Sequence, residues 1–207
     1  MRLPMAMSAS PHEEAQLIAA AQSGDLEAFN ELIRRYQDRL YHIAYRIMGD
    51  HDSAADAMQE ALIAAFRGIR KFRGGSFRAW LTRIVTNACY DELRRRRRRP
   101  QSSLEALFVV DQSPEAEMIL PPVEGPEFYA ERQELADLLH RAIQCLPEDQ
   151  RAVLVLSDIE GYSYEEIAEI LQVPVGTVKS RLSRARMRVR DFLLAHRELL
   201  PGRLRPS

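Results

Sequence analysis

Apolar residues recur every third or fourth position from Leu26 to Ile47, through Phe29, Leu32, Ile33, Tyr36, Leu40 and Ile43. That spacing lays them on one stripe of a helix. Asp25 stands at its start, where a carboxylate favours the exposed amides, and Gly49 closes it. The Asp-rich stretch 50–53 offers caps for a second helix, whose stripe runs through Ala55, Met58, Leu62, Ile63 and Phe66. A third helix follows Gly74 and Gly75, with Ser76 as N-cap and Phe77, Leu81, Ile84, Val85 and Ala88 turned inward. It runs into six consecutive arginines, Arg94 to Arg99.

From Pro100 to Glu131 the periodicity disappears, prolines accumulate at 100, 114, 121, 122 and 126, and the charges are seven acids with no base. This composition predicts a linker. Its short apolar patches, 107–110 and 118–120, would dock either on a partner or on the protein's own domains. Helical spacing resumes with Leu135, Leu138, Leu139, Ile143 and Leu146, and Pro147 breaks it.

Ser163, three residues before Glu166, predicts a capping box, with hydroxyl and carboxylate each meeting the other residue's amide. The helix it opens turns Ile167, Ala168, Ile170 and Leu171 inward and stops at Gln172-Val173-Pro174. A second helix then begins near Val175. Steps of 100 degrees from Val178 place Leu182, Ala185, Val189 and Phe192 on one buried face. Ser180, Ser183 and Met187 lie opposite, flanked by Thr177, Lys179, Arg184 and Arg190. Two helices on a tight turn, the second presenting small polar and basic residues, fit a recognition helix in a major groove. Arg184 has the reach to take a guanine edge, and Lys179, Arg181, Arg186 and Arg188 to meet phosphates. The plain alternative is a basic helix facing solvent.

Charge enters through its distribution. The chain has 29 basic and 30 acidic residues, a formal net of -1, strongly segregated along its 207 positions. The fold class predicted is all-α: a tail (1–12), a helical domain (13–99), the linker (100–131), a helix-turn-helix domain (132–199) and a second tail (200–207). No apolar run is long enough to span a bilayer and the start lacks a signal-peptide pattern, which predicts a cytoplasmic protein without membrane insertion. Cys89 and Cys145 sit at helical positions among apolar neighbours and are expected to be core thiols. Scattered histidines, no phosphate-binding glycine loop and no nucleophile–base set argue against an enzyme, a cofactor, a metal site or a small-molecule substrate.

The segments Ala55-Asp56-Ala57-Met58-Gln59-Glu60, Phe77 to Asn87, Leu146 to Arg151, Gly161 to Ala168 and Val173 to Arg181, in this order, resemble the bacterial RNA polymerase sigma factors of the extracytoplasmic-function (ECF) group. The resemblance implies a protein that joins core RNA polymerase, directs it to a promoter and helps open the duplex. Asp56, Gln59 and Glu60 would dock on the clamp helices of the largest subunit, with the flap as a further contact. The helix from Phe77 would face the minus-ten element through Arg83, Thr86, Asn87, Tyr90 and Arg94, with Asn87 the first choice for base readout. The loop holding Lys71, Arg73, Gly74, Gly75 and Ser76 would receive a base of the melted strand; its glycines are otherwise a flexible turn. Thr177, Lys179, Ser180, Arg181, Ser183, Arg184 and Arg188 would meet the double-stranded minus-thirty-five element. The arginine run would track phosphates or stand solvated, and Trp80 would pack in the core. Relatives commonly have an anti-sigma partner. The competing function is a stand-alone helix-turn-helix regulator, which leaves Asp56, Gln59 and Glu60 without a purpose.

Overall fold

The computed structural model describes residues 11–98 and 126–199. Among them there are helices and turns but no strands. The first domain comprises α1 (Pro11–Gln22), α2 (Leu26–Met48), α3 (His51–Gly68), a 3-10 turn (Ile69–Lys71) and α4 (Phe77–Arg98). The second comprises α5 (Pro126–Gln144), α6 (Glu148–Leu154), a π turn (Val155–Ile159), α7 (Tyr164–Leu171) and α8 (Val175–Ala195).

The predicted caps form. The Asp25 carboxylate accepts from the Ala28 amide at 3.1 Å, and Ser76 Oγ from the Ala79 amide at 3.1 Å. Asp50 accepts from the Ser53 amide at 2.9 Å and its hydroxyl at 2.6 Å. Burial alone would raise the Asp50 carboxyl, but the bonds from Ser53 and Arg96 outweigh it and hold the group below the usual carboxylate range. Gly49 ends α2 at φ +90°, where a Cβ would also meet Gln144 Oε1 at 2.5 Å.

Leu32, Leu40, Ile43 and Ile47 of α2 are buried as their spacing predicts, each contributing about 1.5–3 kcal/mol. On α3 the structure corrects the predicted stripe. Its buried face is Ala54, Ala57, Met58, Ala61 and Ala65, small side chains that admit close helix packing, while Ile63 and Phe66 are exposed. Trp80 packs as expected, its ring stacked on Phe77 at 5.4 Å and tilted against Phe72 at 5.3 Å. Cys89 is buried, which pushes its thiol up to about 12. Cys145 is exposed, contrary to expectation: its amide still donates to the Arg141 carbonyl at 3.1 Å, one turn back, so it continues the exposed side of α5 that Arg141 occupies.

Two boundaries also shift. α1 opens at Pro11, inside the stretch 1–12 assigned to a tail, and α5 opens at Pro126, inside the stretch assigned to the linker. Proline is tolerated in the first helical turn, where its missing amide has no partner to lose. The rest of the predicted linker up to 125, the patches within it, Arg99, and the tails 1–10 and 200–207 lie outside the described residues.

The two domains share one contiguous core. Arg151 of α6 reaches across, Nη1 donating to the Ile47 carbonyl at 2.6 Å while Nη2 donates to the carbonyls of Gln144 (2.8 Å) and Leu146 (3.1 Å). Beside it His140 of α5 stacks on Tyr45 of α2 at 5.0 Å, and Tyr45 on His51 at 4.5 Å. Burial depresses the His140 imidazole below 6.5, opposed by the bond to the Gly49 backbone and aided by the positive charge of Arg151. A histidine depressed in the native state takes up its proton more readily when unfolded. Its stabilising contribution is therefore full above about pH 6.5 and falls as pH drops from there to the native value. Thermal melts between pH 8 and 5.5 should show a falling midpoint for the native chain and a flatter profile for His140→Phe. Asp50 and Glu166, both held below the ordinary carboxylate range, titrate at lower pH and leave that window clear.

Candidate nucleic-acid and polymerase interface

The helix-turn-helix assembles as its pattern predicts. The Glu166 amide donates to Ser163 Oγ at 3.2 Å and the Ser163 amide returns a bond to Glu166 Oε2 at 2.8 Å. Gln172 ends α7 in the left-handed region at φ +55°, and the Val173 amide donates to the Ala168 carbonyl at 3.1 Å, which makes the turn tight. On α8 Val178, Leu182 and Ala185 are buried, with Val189 and Phe192 half-buried beyond them.

The outward face of α8 divides by pairing. Arg181 Nε meets Asp149 of α6 at 3.0 Å with a side chain 26% exposed, so in the chain by itself it braces α6. Arg186 forms a two-pronged bond to Asp158, Nε at 2.9 Å and Nη2 at 2.7 Å, which raises its pKa further. Arg190 holds the adjacent Asp191. Lys179, Arg184 and Arg188 are exposed and make no ion pair among the described residues. With Ser180 and Ser183, exposed, and Thr177, half-buried, they line the side of the helix facing away from the core.

In the first domain the loop residues Lys71, Arg73, Gly74, Gly75 and Ser76 are all exposed. Gly74 and Gly75 adopt φ +94° and +87° with nothing within 4 Å of where a Cβ would stand. The loop's base is tied down by Gln22, whose Nε2 donates to the Phe72 carbonyl at 2.7 Å and the Ile69 carbonyl at 3.2 Å. On α4, Arg83, Asn87 and Arg94 are exposed as predicted. Thr86 is fully buried and its hydroxyl donates to the Thr82 carbonyl at 2.8 Å; Tyr90 is half-buried, its hydroxyl pushed up to about 12 chiefly by burial. The reason is the second domain: α7 packs on α4, and Tyr162 reaches Thr82.

Asp56, Gln59 and Glu60 share an exposed face of α3, and Ile63 and Phe66 extend it with apolar area. Glu60 is held below its ordinary value by a hydrogen bond from Arg95, at 2.5 Å. Four arginines of the run are engaged with acids, Arg94 with Asp91, Arg95 with Glu60 and Glu92, Arg96 with Asp50 and Glu92, and Arg97 with Glu148, while Arg98 donates to the Arg94 carbonyl. Among the described residues no group of His, Cys, Asp and Glu is arranged to hold a metal ion, and no helix is long and apolar enough to cross a membrane.

An all-helical body with an acidic and apolar docking face, coupled to a helix-turn-helix with unpaired cations, defines a DNA-binding protein that also engages a protein partner. Residues 32–99 match the sigma-70 region 2 family and residues 136–189 the sigma-70, region 4 family. The RNA polymerase sigma-H factor of Pseudomonas aeruginosa is 41% identical, over 84% of this chain and 90% of its own. The ECF RNA polymerase sigma-E factor of Escherichia coli K12 is 40% identical, over 82% and 88%. Among solved structures, the Bartonella quintana sigma factor RpoE in complex with the anti-sigma factor NepR superposes with a TM-score of 0.62 at 30% identity, covering 81% of this chain and 98% of that one. CnrH in complex with the cytosolic domain of CnrY gives 0.61 at 26%, covering 88% and 98%. The chain belongs to the sigma-70 family, as an ECF RNA polymerase sigma factor.

Proposed function

We propose that this sigma factor binds core RNA polymerase through the α3 face, reads the minus-ten element with α4 and the 71–76 loop, and reads the minus-thirty-five element with α8. The observation that carries the reading is the coexistence on one chain of a recognition helix whose Lys179, Arg184 and Arg188 are exposed and a separate exposed face of Asp56, Gln59, Ile63 and Phe66. A stand-alone regulator has no use for the second surface. The protein acts by binding rather than by covalent chemistry, and its place is the cytoplasm, beside the polymerase. An anti-sigma factor is a natural partner, given that two solved relatives are complexes with such a factor or with a cytosolic domain.

In this assignment Asn87 and Arg83 take base edges and phosphates on the melted strand, the open backbone of Gly74 and Gly75 admits an extruded base, and Lys179 and Arg188 hold phosphates around Arg184. Arg184→Ala should cost about 1–3 kcal/mol in upstream-element binding and relax preference at one base pair. Equal weakening on every duplex sequence would place Arg184 on the backbone instead. The whole reading is tested by adding the purified chain to sigma-free core polymerase with genomic DNA templates and mapping transcript ends. Discrete start sites dependent on the chain are expected. Comigration of a homodimer with a palindrome and no association with core polymerase would favour the regulator.

A further inference from the structure

α8 carries six cations, Lys179, Arg181, Arg184, Arg186, Arg188 and Arg190, and one acid, Asp191. Two of the six are held by carboxylates from outside the helix. Arg181 meets Asp149, in the first turn of α6, at 3.0 Å, and Arg186 forks onto Asp158, in the π turn, at 2.9 and 2.7 Å. A third pair, Arg190 with its neighbour Asp191, lies wholly within α8. Arg181 and Arg186 are five positions apart, about 140 degrees around the helix, so Asp149 and Asp158 stand on opposite flanks of its outward face. The Asp158 flank is a shallow hollow in which Arg186 neighbours Lys179, Ser183 and Arg190. A carboxylate is thus planted on each side of the surface assigned to the duplex.

All four side chains of these two cross-element pairs reach solvent, so the pairs contribute little to folding. Their effect on DNA is of first order. A cation already facing a carboxylate has no counterion to release when a phosphate approaches, so each pair removes one unit from the salt-dependent attraction to any duplex. The loss falls unevenly. On a random sequence phosphates are the only attraction, and the helix settles wherever its cations find them. On a matched sequence base contacts fix the register, and a pinned arginine forgoes less there. Resting on the reading of α8 as the upstream-element helix, we propose that Asp149 and Asp158 are specificity-determining residues: as fixed internal counterions of Arg181 and Arg186 they suppress binding to unmatched duplex and leave discrimination to Arg184. Lys179, Arg184 and Arg188, which make no ion pair among the described residues, keep their full charge for the matched site.

Anisotropy of short fluorescein-labelled duplexes with the full chain, between about 50 and 200 mM salt, reads both parts of the effect. One duplex is randomised, and the other is the sequence that the native chain enriches most from a randomised pool. Asp158→Asn should bind the random duplex about five- to tenfold more tightly at low salt and steepen the slope of log affinity against log salt by about 0.9. Its gain on the enriched duplex should be about twofold or less. Asp149→Asn should do the same from the other flank, so the test survives misfolding of either variant. Asp158→Glu, which keeps the charge, should behave as native. Combining Asp158→Asn with Arg186→Gln should return the slope to the native value, because the acid acts through that arginine. Weaker binding, an unchanged slope in both variants, equal gains on the two duplexes, a gain that persists without Arg186, or a pool from which the native chain enriches nothing would each overturn the proposal. Should the start-site assay fail while the slopes still steepen, the sigma assignment falls and the counterion role stands; discrete start sites with unchanged slopes give the reverse.

Discussion

Arg151→Ala is expected to cost about 3 kcal/mol of stability and to lower the thermal midpoint by roughly 6–12 °C. The guanidinium is buried and satisfies three carbonyls, those of Ile47 near the end of α2, Gln144 at the end of α5 and Leu146 just beyond it. Those ends carry the negative pole of their helices, so a cation there is favoured by both charge and hydrogen bonding. Truncation leaves three buried acceptors and a void. Arg151→Lys keeps the charge but cannot fork to all three, and should recover only part of the loss. Calorimetry distinguishes the two variants, and an unchanged midpoint for Ala would mean that water replaces the guanidinium.

Asp56→Arg should weaken binding to core polymerase on the order of 100-fold, because it sets a cation against a surface that family resemblance makes basic. The substitution is clean in the free protein: Asp56 is exposed and forms no ion pair among the described residues, so melting should barely move. Glu60 offers no such separation, since its reversal would also break the contact with Arg95. Competition for core polymerase against a labelled sigma factor reads the effect. Native-like competition by the variant would remove Asp56 from the docking surface.

What the sequence made legible is local. Asp25, Asp50, Ser76 and Ser163 cap helices as their types and positions predict, and the inward face of α8 follows from steps of 100 degrees. What stayed hidden is tertiary. Thr86 and Tyr90 are outward relative to their own domain and become covered only because the second domain lies there. Arg181 looks like any recognition-helix cation until Asp149 is brought beside it. On α3, size misled: the large residues Ile63 and Phe66 drew the stripe toward themselves, although Ala54, Ala57, Ala61 and Ala65 recur with equally good helical spacing. That alanine repeat was the available signal, and it identifies an apolar patch that the first domain leaves for something else to cover. α1 carries the same kind of weak signature in Leu17, Ile18 and Ala21, too short a stripe to stand out.

The contrast between the two cysteines gives the chain a built-in attachment point. With Cys89 sealed in the interior and its thiol shifted far from reactivity, a maleimide dye at neutral pH finds one thiol, Cys145, just past the C-terminal end of α5 and a residue away from the Gln144 that abuts Gly49. The unaltered protein can therefore be tagged stoichiometrically beside its domain junction, and its fluorescence followed in real time as polymerase engages it.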